Sequence, residues 1–285
     1  MSNDQRTNRR AALGAGLAAA AASALSPFSA GAAPSPTSNV RPKAPGETKV
    51  VYLGGDILHC GYTQDISLRC TFRSTGWRFL SMTDARYLTP EFLKDADLLI
   101  ITRWGGPIIG WSPGPIVERS LDDTDGYMSD ELENAIVDNV VNRGMGFMGL
   151  HCTIWTPDRK RFNEMLGIKG KMHGPVQKVR LHNFNQNHPI TKGYADFDLG
   201  SDENFGVELV NPKAVALYES TGETDKRHDL AGWCLEQGKG RVVGLAAGHT
   251  YEPWLFSPQY RELHWRAAHW AMGKEIPPFV ETKVW

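Results

Sequence analysis

This chain has few cysteines, almost no net charge and no long, strongly apolar run, and each of these features argues against a class of protein. The 285 residues include only four cysteines, too few and too scattered for a disulfide framework, although one bridge between Cys60 and Cys70 stays open. The formal net charge is −1, which argues against nucleic acid as the main partner because phosphate binding needs a basic surface. The single Ala-rich run near the N-terminus is too short and too weakly apolar to predict a stable membrane span.

The N-terminal segment has the layout of an export signal. Arg9 and Arg10 precede the Ala-rich run, and small residues follow it around Gly31. Paired arginines before a mildly apolar core indicate a twin-arginine signal, whose substrates typically cross the membrane already folded. We therefore predict a twin-arginine-type signal peptide over 1–32, a flexible linker rich in Pro, Ser, Gly and Thr over 33–48, and a single α/β domain over 49–285. The predicted location is periplasmic or secreted.

Strand and helix patterns alternate along the rest of the chain. Helical patterns cover 89–96, 129–144 and 258–272, the first two with capping residues, and the stretch 176–184 alternates like an antiparallel strand. Short apolar or β-rich runs are typical of strands at 49–56, 77–83, 97–102, 145–150, 214–220 and 240–249. This order predicts an α/β fold, a three-layer α/β/α sandwich around a mostly parallel sheet. The Gly-, Pro- and Trp-rich stretch 103–128 is predicted to be a long loop, and loops of that length are usually functional.

Three histidines follow the ends of predicted strands. His59, His151 and His249 each come just after a strand, in G-G-D-I-L-H, M-G-L-H-C and A-A-G-H-T. Ligands of open parallel sheets bind outside the carboxyl ends of the strands. Because neutral imidazole is the commonest metal ligand, these three histidines are candidate ligands of one divalent metal ion, Zn, Mn or Fe. Hydrogen-bonded histidines in a pocket without a metal are the alternative.

The motifs, taken in order, resemble those of the ThuA-like family, which is associated with trehalose utilisation. They are G-M-G-F-M-G-L-H-C, H-P-I-T at 188–191, D-E-N-F at 202–205, and G-K-G-R-V-V-G-L-A-A-G-H-T followed by R-A-A-H-W-A-M-G. The resemblance implies a class I glutamine-amidotransferase-like, flavodoxin-like fold. It also implies functional positions at His59, His151, His173, His188, Asp202, Glu203, Phe205 and His249. The 103–128 loop departs from the pattern by its apparent expansion.

The resemblance implies a sugar substrate, a disaccharide or a 3-keto-glycoside formed by a partner sugar oxidoreductase. Our leading hypothesis is therefore an exported enzyme that isomerises, eliminates or hydrolyses such a sugar with the help of a metal. No nucleotide cofactor is expected. The predicted catalytic residues are Glu203, His173 and His151. The predicted substrate-binding residues are Asp56, Trp104, Trp155 and Trp254, with Asp56 as an alternative partner for a histidine N–H.

Two alternatives stay open from the sequence. Cys152 follows a strand at the place where relatives of this fold carry a nucleophile, but L-H-C-T-I lacks the small residues of a strained nucleophile turn. An amidotransferase-like hydrolase using Cys152 is therefore the less favoured enzyme. The Trp-rich loops fit equally well a non-catalytic exported module that binds sugar.

Overall fold

The structure is built around one large sheet. The carboxyl ends of its parallel strands form an edge, called the rim below. The computed structural model describes residues 40–56, 58–83, 85–103, 128–156 and 159–282. Its strands are, in chain order, β1 (Lys49–Gly54), β2 (Arg78–Met82), β3 (Leu98–Thr102), β4 (Gly146–Leu150), β5 (Ile168–Gly170), β6 (Val176–His182), β7 (Phe197–Glu203), β8 (Val207–Leu209), β9 (Val215–Gly222), β10 (His228–Gln237) and β11 (Gly240–Leu245). The strands β2-β1-β3-β4-β11 run parallel in that spatial order, which is the flavodoxin-like arrangement.

The parallel strands are apolar because they are covered on both faces. Every residue of β1, β3 and β4 is buried, as is expected for strands between two helical layers. The α/β fold and the flavodoxin-like order implied by the resemblance are thus confirmed.

An antiparallel half extends the sheet beyond what the sequence predicts. The strands β11-β10-β9-β6-β7 continue the sheet in that order, and β8 pairs with β10 and β5. Only β6 was predicted as antiparallel, and β7 was not predicted as a strand at all. The β7 sequence F-D-L-G-S-D-E carries three acids and a glycine, a composition that is depleted in strands. Pairing with β6, and not intrinsic propensity, stabilises this strand.

The antiparallel half curls back over the rim of the parallel half. Although β7 is the last strand in hydrogen-bonding order, the Asp202 carboxylate near its end accepts a hydrogen bond of 2.7 Å from the Gly248 N–H, just after β11. The next backbone N–H groups, of His249 and Thr250, donate to the same carboxylate at 2.7 and 3.2 Å. The end of β7 therefore lies beside the end of β11.

Helices cover both faces of the sheet. They are α1 (Gly61–Phe72), α2 (Pro90–Leu93), α3 (Asp130–Asp138), α4 (Lys160–Leu166), α5 (Tyr251–Phe256) and α6 (Pro258–Ala271). The helices α1, α5 and α6 pack together, with α6 against β4 and β11, whereas α2, α3 and α4 form a second group with α4 against β11. Capping sets their starts: the hydroxyls of Thr89, Ser129, Thr250 and Ser257 accept from backbone N–H groups in the first turns of α2, α3, α5 and α6.

Residues 41–48, the second half of the predicted flexible linker, are tied to the rest of the chain. The Lys43 ammonium contacts both carboxylate oxygens of Asp97 at 2.6 Å, and its backbone N–H donates to Asp95 at 3.1 Å. The predicted signal peptide and the first part of the linker lie outside the described residues, as do residues 104–127 of the predicted long loop. Within the part of the chain that is described, no helix has the length and apolar character needed to cross a membrane.

All four cysteines are free thiols in the structure. Cys60 immediately precedes α1, and Cys70 lies near its other end. Ten residues of α-helix span about 15 Å, whereas the Cα atoms of a disulfide lie within about 7 Å. The bridge that the sequence left open is therefore incompatible with α1.

Candidate active site

Three imidazole rings converge at the carboxyl rim of the parallel strands. His59 follows β1, His151 follows β4 directly, and His249 lies four residues after β11. One ring nitrogen from each lies within 4.8 Å of the other two. The ring centroids are separated by 4.9 to 5.3 Å. The structure thus brings together the three histidines that the sequence predicts as metal ligands.

His151 is fixed in position by its backbone and by one hydrogen bond. Its φ of +46° lies in the left-handed region, which is uncommon for residues other than glycine and occurs most often at functional sites. Its Nδ1 donates to the Ala246 carbonyl at 2.9 Å, so Nε2 carries the lone pair and faces His249 Nδ1 at 3.3 Å. Burial, and then the nearby His59, hold the pKa of His151 well below its usual range. The ring is therefore neutral at pH 7 and presents Nε2 as a ligand.

His59 is oriented by Asp56. The His59 Nδ1 donates to Asp56 Oδ1 at 2.6 Å, and the same oxygen accepts from the backbone N–H groups of Leu58 and His59. Both side chains are only 4% exposed, which leaves the carboxylate behind the ring and away from the pocket. Of the two roles predicted for Asp56, this geometry fits the partner of a histidine N–H and not a direct contact with sugar.

The loop that carries His249 is shaped by Gly248 and Asp202. Gly248 has a φ of +117°, and a Cβ there would lie 2.9 Å from the Trp254 ring. The buried Asp202 carboxylate binds the three successive N–H groups of this loop, as described above. Burial, together with His59 and His173, lowers the pKa of His249 to about 4, so this ring is also neutral at pH 7.

Glu203 brings its carboxylate beside two of these rings, His151 and His249, and beside a fourth histidine, His173. Its Oε2 lies 3.3 Å from His249 Nδ1 and 3.7 Å from His151 Nε2, while Oε1 lies 3.3 Å from His173 Nδ1. Burial raises the pKa of Glu203 above its ordinary value, an effect that the nearby His173 and His59 oppose. A carboxyl group with a raised pKa beside neutral imidazoles is suited to accept a proton and to return it.

A pocket of about 340 Å³ opens over these groups. Phe205 forms one wall, with the His173 ring stacked on it at a centroid distance of 5.4 Å and Trp155 meeting it edge to face at 6.0 Å. The His173 side chain is 44% exposed, whereas Glu203 is 11% exposed, so His173 lies between the carboxylate and solvent. The other lining residues are Leu58, His59, His151, Cys152, Met172 and His249.

One of the predicted substrate-binding tryptophans, Trp254, does not line this pocket. Trp254 is 1% exposed, donates its indole N–H to the Gly248 carbonyl at 2.9 Å, and stacks on His264. It therefore supports the His249 loop from behind, in contrast to the predicted role in stacking on sugar. Trp104 lies outside the described residues. His188, which the resemblance also implied, has its Nε2 3.4 Å from Cys234 Sγ, away from the residues that line the pocket.

Two residues that the resemblance implied as functional, Phe205 and Asp202, have roles that the sequence did not indicate. Phe205 supplies the apolar wall, and its only sequence signal is the D-E-N-F motif. Asp202 fixes the His249 loop although it is fully buried and does not line the pocket. The sequence does not indicate which of the two adjacent acids, Asp202 or Glu203, faces the pocket.

Cys152 is a buried thiol with no features of a nucleophile. Its Sγ donates to the Thr102 carbonyl at 3.2 Å and lies 3.8 Å from Asp56 Oδ2. Burial and the Asp56 charge raise the pKa of Cys152 well above its ordinary value, whereas a nucleophilic cysteine needs a lowered one. The residue with a left-handed backbone directly after β4, where a nucleophile would lie, is His151 and not Cys152.

Replacing Cys152 by serine is expected to leave turnover within about tenfold of the unmodified protein, whereas loss of a covalent nucleophile costs about 10⁶-fold. Iodoacetamide should label Cys60, which is exposed and whose pKa is lowered by the Thr63 hydroxyl, before it labels Cys152. Peptide mass mapping of the alkylated protein measures this order. Inactivation that follows alkylation of Cys152 would instead support the alternative that the protein is an amidotransferase-like hydrolase.

The donor set fits a divalent transition metal ion. His151 and His249 are neutral, and the Nδ1–H groups of His59 and His151 are bound by a carboxylate and a carbonyl, the usual outer partners of metal-binding histidines. Imidazole and carboxylate donors suit Zn, Mn or Fe, and three histidines leave positions open for water or substrate. The residues that would hold the ion are His59, His151 and His249, with Glu203 beside them.

Comparisons with solved structures show the fold. A ThuA-like protein from Parabacteroides merdae ATCC 43184 aligns over 84% of this chain and 95% of its own, with 14% identity and a TM-score of 0.63. A ThuA-like protein from Bacteroides uniformis ATCC 8492 aligns over 82% and 94%, with 16% identity and a TM-score of 0.57. The carbohydrate deacetylase Agd3 aligns over 80% of this chain but 32% of its own, with 9% identity and a TM-score of 0.54.

Sequence comparison identifies the family. No curated protein matches the chain in the sequence search. The family model for ThuA, described as trehalose utilisation, matches residues 61–271, which include all of the pocket histidines except His59. That match spans most of the chain and confirms the family resemblance that the sequence motifs indicated. The chain belongs to the ThuA family.

Proposed function

We propose that this protein is a carbohydrate-active enzyme that isomerises, eliminates or hydrolyses a disaccharide or a 3-keto-glycoside with the help of a divalent metal ion. The observation that carries the proposal is the convergence of one buried carboxylate and three imidazoles. Glu203 Oε2 lies 3.3 Å from His249 Nδ1 and 3.7 Å from His151 Nε2, and one ring nitrogen from each of the three histidines lies within 4.8 Å of the other two. A buried polar cluster of this kind at a strand rim is typical of a catalytic centre.

A sugar suits the pocket in size and lining. Its volume of about 340 Å³ lies in the range of small-molecule sites, and Trp155 and Phe205 offer apolar surface for the C–H faces of a pyranose ring. The family description, trehalose utilisation, and the carbohydrate substrate named for the structural neighbour Agd3 both support this substrate class.

Glu203 is the proposed base, and His173 its link to solvent. A metal ion held by the three histidines would polarise a substrate carbonyl and acidify a neighbouring C–H or O–H bond. The Glu203 carboxylate accepts the proton from the carbon next to the carbonyl of a keto-sugar. The electron pair left on that carbon moves into the carbonyl and, in an elimination, expels the glycosidic oxygen from the adjacent carbon. The protonated Glu203 then returns this proton, to the departing oxygen in an elimination or to the neighbouring carbon in an isomerisation. The exposed His173 ring, whose Nδ1 donates to the Gly174 carbonyl at 2.9 Å and lies 3.3 Å from Glu203 Oε1, joins this carboxyl group to solvent.

His151 contributes by binding and positioning, because a ring whose pKa is held well below its usual range does not carry a proton at pH 7. Of its two predicted roles, metal ligand and catalytic acid or base, the geometry favours the ligand. The Trp155 face is the proposed surface for the sugar ring.

The His151→Ala variant is expected to bind its metal at least about 100-fold more weakly and to lose most turnover on 3-keto-glucosides and their parent disaccharides. His188→Ala, which removes a half-buried histidine away from the pocket, is the matched control and should keep both. The measurements are elemental analysis by inductively coupled plasma on protein purified without a histidine tag, and product formation on that substrate panel. Metal-free protein with full turnover would overturn the metal-assisted mechanism.

The proposed setting is outside the cytoplasm, in the periplasm or medium. The support is the sequence Arg9–Arg10 followed by the Ala-rich run. A 3-keto-glycoside would be supplied there by a sugar oxidoreductase, which is the proposed functional partner.

A further inference from the structure

A second cluster of metal-binding side chains lies on the antiparallel half of the sheet. His182 on β6, Glu219 on β9 and His228 on β10 project from the same face of three neighbouring strands, since His182 pairs with Glu219 and His228 pairs with Thr221. One ligand atom from each of the three lies within 4.8 Å of the other two. The cluster shares no residue with the pocket at the rim.

Hydrogen bonds already hold the two imidazoles toward each other. The Thr221 hydroxyl lies between them, 2.6 Å from His182 Nε2 and 3.1 Å from His228 Nδ1. The rings meet edge to face with their centroids 5.4 Å apart. A single hydroxyl donates only one proton, so it donates to a nitrogen of one ring and accepts from an N–H of the other.

The carboxylate of the cluster is also fixed in place. Glu219 Oε2 lies 3.9 Å from His182 Nδ1 and accepts a hydrogen bond of 2.7 Å from the Asn183 side-chain amide. Asn183 has a φ of +54°, a left-handed conformation that asparagine tolerates better than most residues. This turn directs the amide of the residue after β6 onto the carboxylate that faces His182.

We propose that His182, Glu219 and His228 form a second binding site for a divalent transition metal ion of the zinc type. Two imidazoles and one carboxylate are donors that suit Zn²⁺, Cu²⁺ or Ni²⁺, whereas Mg²⁺ and Ca²⁺ prefer sites built from oxygen alone. Three protein ligands leave a fourth position for water or for a donor from another molecule. The His182 side chain is 11% exposed and Glu219 is 44% exposed, so an ion can enter from solvent.

Equilibrium dialysis of the full chain against Zn²⁺, without a histidine tag, tests this site. In the His59→Ala/His151→Ala background, which disables the rim site, about one equivalent of zinc should remain bound and should raise the Tm of the protein. Adding His182→Gln or His228→Gln should abolish that equivalent and the Tm shift. Because the background lacks the rim ligands, the result does not depend on the proposed function.

Two variants refine the test with controls matched in chemistry. Asn183→Gly keeps the left-handed backbone and removes only the amide that orients Glu219, and it should weaken this equivalent about 10- to 100-fold. Glu223→Gln removes an exposed carboxylate outside the cluster and should change nothing. Should the double alanine background fail to fold, His182→Gln and His228→Gln in the unmodified chain should each lower the bound zinc by about one equivalent. Zinc binding unaffected by both His182→Gln and His228→Gln would overturn the proposal.

Discussion

Replacing Glu203 by glutamine should lower turnover by about 10²- to 10⁴-fold while the fold and the bound metal persist. Glutamine keeps the size of the side chain and one carbonyl oxygen, so contacts with His249 and His173 can be retained. It removes the carboxylate that accepts the substrate proton. The measurement is kcat on a 3-keto-glucoside, together with the melting temperature and metal content of the variant.

The pH dependence identifies Glu203 as the base. A base acts when it is deprotonated, so kcat/KM of the unmodified protein should rise with pH, through a value above the ordinary glutamate pKa because burial raises the pKa of Glu203. The Glu203→Gln variant should lose this rise, and Glu223→Gln, at an exposed carboxylate, should retain it. A variant with full turnover and an unchanged pH profile would remove Glu203 from the mechanism.

The same variant separates an enzyme from a binding module. A module that only binds sugar would show no turnover in the unmodified protein, and it would keep its sugar affinity when Glu203 is amidated. Titration calorimetry with the disaccharide panel measures that affinity. Sugar affinity in the complete absence of turnover would favour the binding module that the Trp-rich sequence also allowed.

The rim histidines could be predicted from the sequence because a general rule places them. His59, His151 and His249 each follow a parallel strand, and the carboxyl ends of parallel strands meet at one edge. Apolar runs such as D-L-L-I-I-T mark those strands clearly. Helix α3 was equally visible, since Ser129 caps it. A π-helical turn, Asn139–Arg143, continues it and ends at Gly144 in a left-handed conformation.

Glu203 could not be placed by the same rule. It ends β7, an antiparallel strand of polar composition that reaches the rim only because the sheet curls, so its place at the site came from the family motif alone. The sequence likewise could not predict the direction in which the Trp254 side chain points. The cap Thr250 sets the start of α5, and the Trp254 indole turns inward to donate to the Gly248 carbonyl.

His264 also shows what a sequence leaves unresolved, because the pattern allowed either a packed or an exposed side chain. In the structure it is 1% exposed, between the rings of Trp254 and Tyr260 at centroid distances of 4.8 and 4.4 Å. Neither ring nitrogen makes a hydrogen bond of good geometry to the described residues. Burial lowers the pKa of His264 from 6.5 to about 3, and the nearby Tyr260 carbonyl opposes this only in part.

His264→Phe should therefore raise the free energy of unfolding, by about 1–3 kcal/mol at pH 7, because it replaces an imidazole with unsatisfied buried nitrogens by an apolar ring. The gain should grow as pH falls. Below pH 6.5 the unfolded chain protonates His264 while the folded protein does not until about pH 3, so this residue destabilises the fold progressively across that window. At about 1.4 kcal/mol for each pKa unit, the effect reaches several kcal/mol.

Urea unfolding of metal-free protein at pH 7 and pH 4 measures both effects, with EDTA present so that metal binding does not contribute. The comparison is between the unmodified chain and His264→Phe. The other buried histidines are common to both proteins, so the difference between the two pH profiles belongs to His264 alone. Parallel profiles for the unmodified chain and His264→Phe would show that the ring is protonated, or bound by a partner, in the folded state.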